Sequence, residues 1–299
     1  MSRLTLYIKT YIFRFFQTIG RCCDLYLSPP SPQRPSFTVR VPSTIGSVPG
    51  SFNLLFYTPP GYKLGQQLMK RYPILVNFHG GAYSIGNAAD DARWATAVLQ
   101  KTECVVVSVD YRLAPRHPFP TGIEDCVSAI LYLWANADSL HLDVSRTALS
   151  GFSAGGNYSF TAPIRLHQEL ARLKAYDRIA EVELGKLVGI VAFYPAVDWT
   201  RSRAERAASN PNAKPIGVPK WMFGVFDESY LYPKPADMRS PLLSPGLADE
   251  VLLKEALPGK VCFVTCWGDG LLGEGEAFRE RLRGMGSVIS GYTVPGVVH

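Results

Sequence analysis

The first feature along the chain is a segment that is apolar over most of its circumference and polar on one stripe. Residues 4–19 are dominated by Leu, Ile, Phe and Tyr, interrupted by Lys9 and Arg14. With the 3.6-residue period of a helix, Arg3, Thr10, Arg14, Gln17 and Arg21 share one line down the cylinder. That pattern predicts a basic amphipathic helix. Its apolar run falls short of the ~20 residues that a membrane-spanning helix needs. The interruptions, and the lack of a small-residue cleavage site, also set it apart from a secretory leader. Three roles fit such a helix: a cap or surface element packed over a site mouth, a weak membrane-surface contact through residues 3–21, or an import signal, since no acidic residue precedes Asp24. A Pro/Ser-rich linker at residues 28–35 ends it. Residues 1–35 are thus a leading segment, and residues 36–299 the main domain.

From residue 37 the period changes. Residues 37–42 and 52–58 alternate and are expected to form an antiparallel pair, followed by the turn Pro59-Pro60-Gly61. Residues 72–78 form a continuous apolar run, as a strand covered on both faces requires, and residues 104–109 form a second. Further strands are expected at 147–151, 187–194, 262–267 and 288–294, and helices at 88–101, 121–137, 154–173 and 274–285. Strands alternating with helices predict an α/β fold, with a mostly parallel central sheet and helices on both faces. Ligands of such sheets bind beyond the carboxyl ends of the strands, so chemistry is expected in the loops just after strands. Residues 198–243 break the alternation. They are rich in Arg, Ala, Asn and Pro and carry the aromatic residues Trp221, Phe223, Phe226, Tyr230 and Tyr232. They are expected to be an insertion within the domain.

Composition then narrows the function classes. A content of 47% hydrophobic and 19% charged residues over 299 positions suits a globular domain with a sizeable core. The net charge of +6 is spread without a Lys/Arg run, whereas a nucleic-acid partner needs a clustered basic stripe. No nucleic-acid partner is expected. Six cysteines are present (Cys22, Cys23, Cys104, Cys126, Cys262 and Cys266), and none forms a C-x-x-C pair. Reduced, buried thiols are expected rather than a disulfide framework, together with an intracellular, cytoplasmic location. Nothing in the residue pattern calls for a metal or a cofactor.

Gly151-Phe152-Ser153-Ala154-Gly155 matches G-x-S-x-G between a predicted strand and a predicted helix, the setting of a nucleophile elbow. Small flanking residues let the turn close, and the helix N-terminus beneath the serine offers unpaired N–H groups. The blander role for Ser153 is a helix N-cap. His79-Gly80-Gly81-Ala82 follows a buried strand. Its glycines allow amides to approach a developing oxyanion closely, so the amides of Gly80, Gly81 and Ala154 are the candidate donors; a plain tight turn is the alternative. A serine hydroxyl also needs a base. Among His79, His117, His141, His167 and His299, only His299 follows a late strand and a Pro-Gly loop. The chain order Ser, Asp, His puts the orienting carboxylate between them. Asp269, after the strand at 262–267, is the first choice, and Asp198 the second. A turn residue in Gly268-Asp269-Gly270 is the blander role.

These pieces together resemble the hormone-sensitive-lipase group of α/β-hydrolases, which includes microbial esterases and arylacetamide deacetylase. The matching residues are His79-Gly80-Gly81-Ala82, Asp110-Tyr111-Arg112-Leu113-Ala114-Pro115 with His117-Pro118-Phe119-Pro120, and Gly151-Phe152-Ser153-Ala154-Gly155-Gly156-Asn157. Asp269 with Leu271, Glu274 and Gly275, and the closing Val297-Val298-His299, complete the set. The resemblance covers about residues 72–299 and implies an α/β-hydrolase fold. It also implies Ser153, Asp269 and His299 as the catalytic residues, Gly80, Gly81 and Ala154 as the oxyanion hole, residues 110–120 as a brace beneath the site, and a cap built from the leading helix and the insertion. Three departures stand out. Phe152 replaces a common acidic residue, Gly273 replaces another, and the chain stops at His299 where relatives continue into a final helix. That stop suggests a truncation, with a carboxylate beside the imidazole favouring the charged ring and one sheet face left bare. The activity implied is hydrolysis of a small apolar or aromatic ester, with Tyr83, Trp221, Phe223 and Phe226 as candidate pocket walls and secondary metabolism as one setting. A catalytically silent small-molecule binder is the alternative from another class; a peptidase fits the resemblance less well. The particular ester, the acyl length and the oligomeric state are not legible.

Overall fold

The computed structural model of the chain describes residues 1–63, 70–176, 184–214 and 220–299. Its sheet runs in the order β1 (Phe37–Pro42), β2 (Ser51–Tyr57), β4 (Val105–Asp110), β3 (Tyr72–Phe78), β5 (Leu142–Phe152), β6 (Leu187–Phe193), β7 (Lys260–Cys266) and β8 (Val288–Ser290), with β9 (Thr293–Val294) also paired to β7. The β1–β2 and β2–β4 pairs are antiparallel, and from β4 onward every neighbour is parallel. Parallel neighbours need long crossovers. Helices α2 (Ala92–Leu99), α3 (Thr121–Ala135), α4 (Ala154–Ala175) and α8 (Leu272–Gly284) supply them. The remaining crossover, from β6 to β7, carries α5 (Arg203–Ala208), α6 (Lys220–Tyr230) and α7 (Glu250–Ala256). It contains the expected insertion, of which residues 215–219 lie outside the described residues.

Because alternate strand residues point to opposite faces, the sheet has two cores of unequal depth. On one face Val76, Val107, Leu149, Ile190 and Phe263 meet Ile130 and Trp134 of α3, Phe160 of α4 and Phe278 of α8 in a single buried cluster. On the other face α2 covers Leu75 and Val106 with Ala92, Ala95, Val98 and Leu99. Farther along that face Val191, Phe193 and Cys262 are only half-buried.

The strand expected at 147–151 extends back to Leu142, and two further differences from the periodic expectation have a local reason. The helix expected over 88–101 begins only at Ala92. Asp91 does not cap it; its side chain turns inward and accepts from Asn77 Nδ2 at 2.8 Å. Residues before it are tied into a turn, with Asn87 N bonded to Asp90 and Ala88 N to Asp110 Oδ1. The strand expected over 288–294 is two short ones. Gly291 separates them at φ +102°, where a Cβ would lie 2.2 Å from Phe263 O.

The leading helix α1 (Arg3–Leu27) starts at an N-cap, Ser2, whose hydroxyl accepts from Thr5 N. Its polar stripe faces inward. Buried Thr10 meets Ser229 at 3.4 Å. Arg14 donates to Ser84 O (2.9 Å) and Ala114 O (2.8 Å). Gln17 accepts from Gly86 N (2.7 Å) and donates to Asp90 (3.1 Å), and Arg21 donates to Asn87 (3.0 Å). Buried loop carbonyls and amides must find partners, and here a helix side supplies them. The apolar side faces out, with Leu4 70% and Phe15 and Phe16 each 63% exposed. Cys22 and Cys23 lie on that outer side and are exposed, contrary to the buried thiols expected; Cys104, Cys126 and Cys266 are buried and Cys262 is half-buried, and all six are free. Among the described residues no helix is long and apolar enough to cross a membrane.

The inward turn of Asp91 has a pH consequence. Burial pushes its carboxyl up to about 7, Asp90 adds in the same direction, and the Asn77 amide opposes. An acid whose folded-state pKa is raised imposes no penalty while both states are protonated. It destabilises progressively as pH rises from about 4 to about 7, by up to about 4 kcal/mol, and the penalty is then constant. Asp91→Asn is expected to match the parent near pH 4 and to exceed it in stability at pH 8, with urea unfolding across that range as the measurement. A constant difference between the two proteins at all pH values would show that Asp91 does not titrate in this window.

Candidate active site

Ser153 occupies the turn between β5 and α4 with φ +53° and ψ −110°. A side-chain-bearing residue held there costs about 1–3 kcal/mol and persists only where its surroundings over-determine it. They do: Ser153 N donates to Phe193 O (2.9 Å), and Asn157 N donates to Ser153 O (3.0 Å). Gly155 is required because a Cβ there would lie 1.8 Å from Phe78 O. Its absence lets the first turn of α4 press against the end of β3. Asn157 completes the anchorage by donating to Ala196 O (2.7 Å) and Leu243 O (3.0 Å).

Asp269 follows β7 and is 4% exposed. Asn210 clasps its turn from outside, donating to Trp267 O (2.9 Å) and Asp269 O (2.7 Å). The closing loop lies alongside, since Trp267 N donates to Val294 O (3.0 Å) and Gly268 N to Val297 O (2.8 Å). That pairing delivers His299. Its Nδ1 donates to Asp269 Oδ2 at 2.7 Å, and its Nε2 accepts from Ser153 Oγ at 2.7 Å. The Tyr194 ring stands edge-on to the imidazole at 4.8 Å between centroids. Burial holds the Tyr194 phenol above its ordinary value, so it stays neutral.

Asp198, the second-choice carboxylate, is engaged elsewhere: it accepts from Thr200 and pairs with Arg201 at 3.2 Å. The other histidines are also remote from Ser153 chemistry. His79 is fully buried, stacked on Tyr111 at 4.2 Å, and its Nδ1 donates to Gly80 O. Burial lowers its pKa and keeps the ring neutral. His167 lies 3.5 Å from Glu255 on the surface.

The loop after β3 is wound tightly. Gly81 has φ +117°, and its carbonyl accepts from both Ser84 N (3.0 Å) and Ile85 N (2.9 Å). A Cβ at Gly81 would lie 2.1 Å from Ile85 O. Gly80 lies against the elbow, its Cβ position 3.2 Å from Phe152 O. Among the described residues no acceptor meets the Gly80 or Gly81 amide, and Ala154 N is the first of the unpaired donors at the start of α4. The glycine loop and the Ser153 elbow thus meet at Gly80 and Phe152. Tyr111 braces the loop by donating to His79 O at 2.7 Å. Arg112, gripped by buried Asp125 through two side-chain nitrogens and its own amide, fixes the chain beyond Tyr111.

The four candidate pocket residues are divided. Tyr83 stacks on Tyr230 at 3.8 Å just behind the glycine loop. Trp221 and Phe226 instead pack on Phe13 of α1 (5.5 and 5.4 Å), and Phe223 lies under the Arg203 guanidinium. Their described contacts join α6 to α1 and α5. Three contributors escaped the sequence: Asn210, Tyr194 and Arg206. Arg206 forms a buried pair with Glu274 at 2.8 Å, and Glu274 also accepts from Val197 N and Asp198 N. Of that group only Glu274 carried a signal, through the motif after Asp269.

Arg14 and Gln17 hold the glycine loop from outside, a function their stripe did not announce. Charge-assisted bonds of this kind contribute about 1.5–3 kcal/mol each. Arg14→Met is expected to speed amide exchange at residues 84–86 and along α1 by one to two orders of magnitude, while β5 and β6 exchange as before. Unchanged protection in residues 84–86, read by hydrogen-exchange mass spectrometry, would contradict the clamp.

A family model described as alpha/beta hydrolase fold matches residues 75–299. An AB hydrolase superfamily protein of Schizosaccharomyces pombe is 33% identical over 211 residues, which are 71% of this chain and 58% of that protein. An arylesterase of Saccharolobus solfataricus is 30% identical over 226 residues, 76% of this chain and 67% of that protein. The matched part thus spans between half and about two thirds of these relatives' length. Among solved structures, a hyperthermophilic esterase from Pyrobaculum calidifontis superposes with a TM-score of 0.75 at 25% identity, covering 99% of this chain and 88% of that one. A thermostable carboxylesterase cloned from a metagenomic library gives 0.72 at 27% identity, covering 97% and 88%.

Proposed function

The chain belongs to the hormone-sensitive-lipase-like family of α/β-hydrolases, and from that premise we propose that it hydrolyses carboxylic esters through Ser153, His299 and Asp269. The supporting observation is the unbroken line of contacts, 2.7 Å from Ser153 Oγ to His299 Nε2 and 2.7 Å from His299 Nδ1 to Asp269 Oδ2. A hydroxyl attacks a carbonyl only if its proton has somewhere to go. In this mechanism His299 Nε2 takes that proton as Ser153 Oγ bonds to the ester carbon. Asp269 fixes the ring with Nδ1 protonated and stabilises the imidazolium. The same proton then passes to the departing alcohol oxygen, and water, activated by the ring in turn, releases the acid.

Negative charge gathers on the carbonyl oxygen in both steps. The amides of Gly80, Gly81 and Ala154 are its donors in this reading, each contributing about 3 kcal/mol of transition-state stabilisation. The substrate is a small apolar or aromatic ester. A neutral aromatic group, Tyr194, stands against the imidazole, and among the described residues no cationic side chain is bonded to the Ser153–His299–Asp269 line to recruit an acidic substrate.

A fluorophosphonate probe is expected to label Ser153 and no other serine, as read by mass spectrometry of the modified peptide. With p-nitrophenyl acetate, Ser153→Ala is expected to lower kcat by at least about a thousandfold, and Asp269→Asn by on the order of ten thousandfold. Equal rates for the parent and Ser153→Ala would refute ester hydrolysis at this site and leave a binding role.

A further inference from the structure

Helix α1 presents to its surroundings the side that a surface helix normally hides. Its outward ribbon runs through Leu4, Ile8, Ile12, Phe15, Phe16 and Ile19, all exposed. On the same helical lattice it continues into two adjacent free thiols. Cys22 follows Phe15 by seven residues and Ile19 by three; Cys23 follows Phe16 by seven and Ile19 by four. Both thiols are exposed. The helix cannot roll to bury the ribbon, because Arg14, Gln17 and Arg21 latch the opposite stripe to Ser84, Gly86 and Asn87. At the amino end Lys9 lies beside the ribbon, its ammonium over the Trp221 ring, while Arg3 belongs to the polar stripe and reaches the Tyr232 ring, and the Met1 amine pairs with Glu228. From Leu4 to Cys23 the ribbon is about 28 Å long at 1.5 Å per residue and one helix wide. That is narrow for a stable protein interface, which buries about 800 Å² per partner. It suits the shallow immersion of a helix lying in a lipid headgroup layer, with Lys9 at its edge toward anionic lipid.

We propose that the outward face of α1 docks on a phospholipid surface and that Cys22 and Cys23 are S-acylation sites that fix it there. The donor is a long-chain acyl-coenzyme A thioester. A cysteine sulfur attacks its carbonyl carbon and a new C–S bond forms. The C–S bond to coenzyme A breaks, and the proton lost by the cysteine leaves on the coenzyme thiol; nothing is oxidised or reduced. An apolar helix face or one acyl chain alone binds membranes reversibly, whereas two signals together give lasting attachment. Thiols at the end of an already lipid-facing ribbon supply the second signal where the first has brought the membrane. The inference is independent of ester hydrolysis, since it uses none of the residues around Ser153.

The test treats the full chain with alkyne-tagged palmitoyl-coenzyme A. The product is then floated with vesicles of equal parts phosphatidylcholine and phosphatidylserine. The parent protein is expected to carry a hydroxylamine-labile label on the peptide holding Cys22 and Cys23, and to float with the vesicles. The double variant Cys22→Ser/Cys23→Ser is expected to lose the label and to float about tenfold less. Phe15→Glu/Phe16→Glu is expected to bind unacylated vesicle surfaces at least tenfold more weakly than the parent while keeping the parent's circular dichroism and melting temperature. Label that persists in the double serine variant would overturn the modification site. Flotation indifferent to both variants would overturn the lipid surface, as would a Phe16-dependent doubling of mass by light scattering without lipid, which would assign the face to a second copy of the chain.

Discussion

One close approach of helix to strand governs the chemistry of the fold. Helix α4 starts so near the end of β3 that the residue at position 155 can carry no side chain, its Cβ position being 1.8 Å from Phe78 O. That contact brings two loops together which the chain order separates by some seventy positions. One holds Ser153 at φ +53°; the other, from His79 onward, carries Gly80, whose Cβ position is 3.2 Å from Phe152 O. Loosening it would let Ser153 relax out of a conformation that costs about 1–3 kcal/mol and would carry Ala154 N away from Gly80 and Gly81. The polar residues immediately behind the elbow resist such relaxation. Ser150 donates to Asn77 Oδ1 (2.8 Å), and Trp94 Nε1 donates to Ser150 (3.1 Å), so β3 and β5 are cross-linked beneath the loops by side chains as well as by their ladder.

Much of this was legible along the chain because it is local. A continuous apolar run, a glycine-flanked serine and a change of period all lie within ten residues or so, and the sheet, its alternating helices and the residues Ser153, Asp269 and His299 follow from such windows. What stayed hidden is long-range. Asn210 reaches 59 positions along the chain to hold Asp269 O, and Tyr194 meets His299 across the whole of the β6–β7 crossover. Neither belongs to a motif, since one side-chain amide or one ring leaves no periodic trace. The start of α2 was misplaced because Asp91 has the chemistry of a cap and is used instead as a partner for Asn77. The outer strand broke at Gly291 because a tertiary contact with Phe263, not local preference, sets the backbone there.

The leading helix was a harder case. Its amphipathicity was plain, but periodicity fixes only that a helix has two sides. Which side turns inward depends on what the body offers. Here the body offers the carbonyls of Ser84 and Ala114 and the amide of Gly86, all in tight loops that cannot pair within a ladder. Leaving such groups buried and unpaired costs about 1–3 kcal/mol apiece, which exceeds what one exposed apolar side chain loses by staying in water only when several act together. Arg14, Gln17 and Arg21 act together, at one helical turn's spacing, and Leu6 and Phe13 bury enough apolar surface between them to seat the helix.

The insertion and the segment after Asp269 are joined by the same kind of exchange. Arg206 on α5 and Glu274 on α8 form an ion pair that is nearly inaccessible to water. Burial pushes the Glu274 carboxyl up, against the pull of Arg206 and of two backbone amides. Such a pair adds little net stability over an apolar contact, yet removing one partner leaves an uncompensated buried charge and costs about 3–5 kcal/mol. Its effect is therefore on geometry more than on stability. Glu274 accepts from Val197 N and Asp198 N, where the chain leaves β6 for the insertion, and Arg206 extends from α5 to meet it. Asp269 lies five residues before Glu274, and Asn210 four after Arg206, so the ion pair and the clasp on the Asp269 turn share the same two segments. A displacement of the insertion at α5 would withdraw Asn210 from Asp269 O and loosen the turn whose carboxylate bonds His299 Nδ1. The insertion is in this sense part of the site's framework, and whatever moves it is expected to act on the His299 ring before it acts on Ser153.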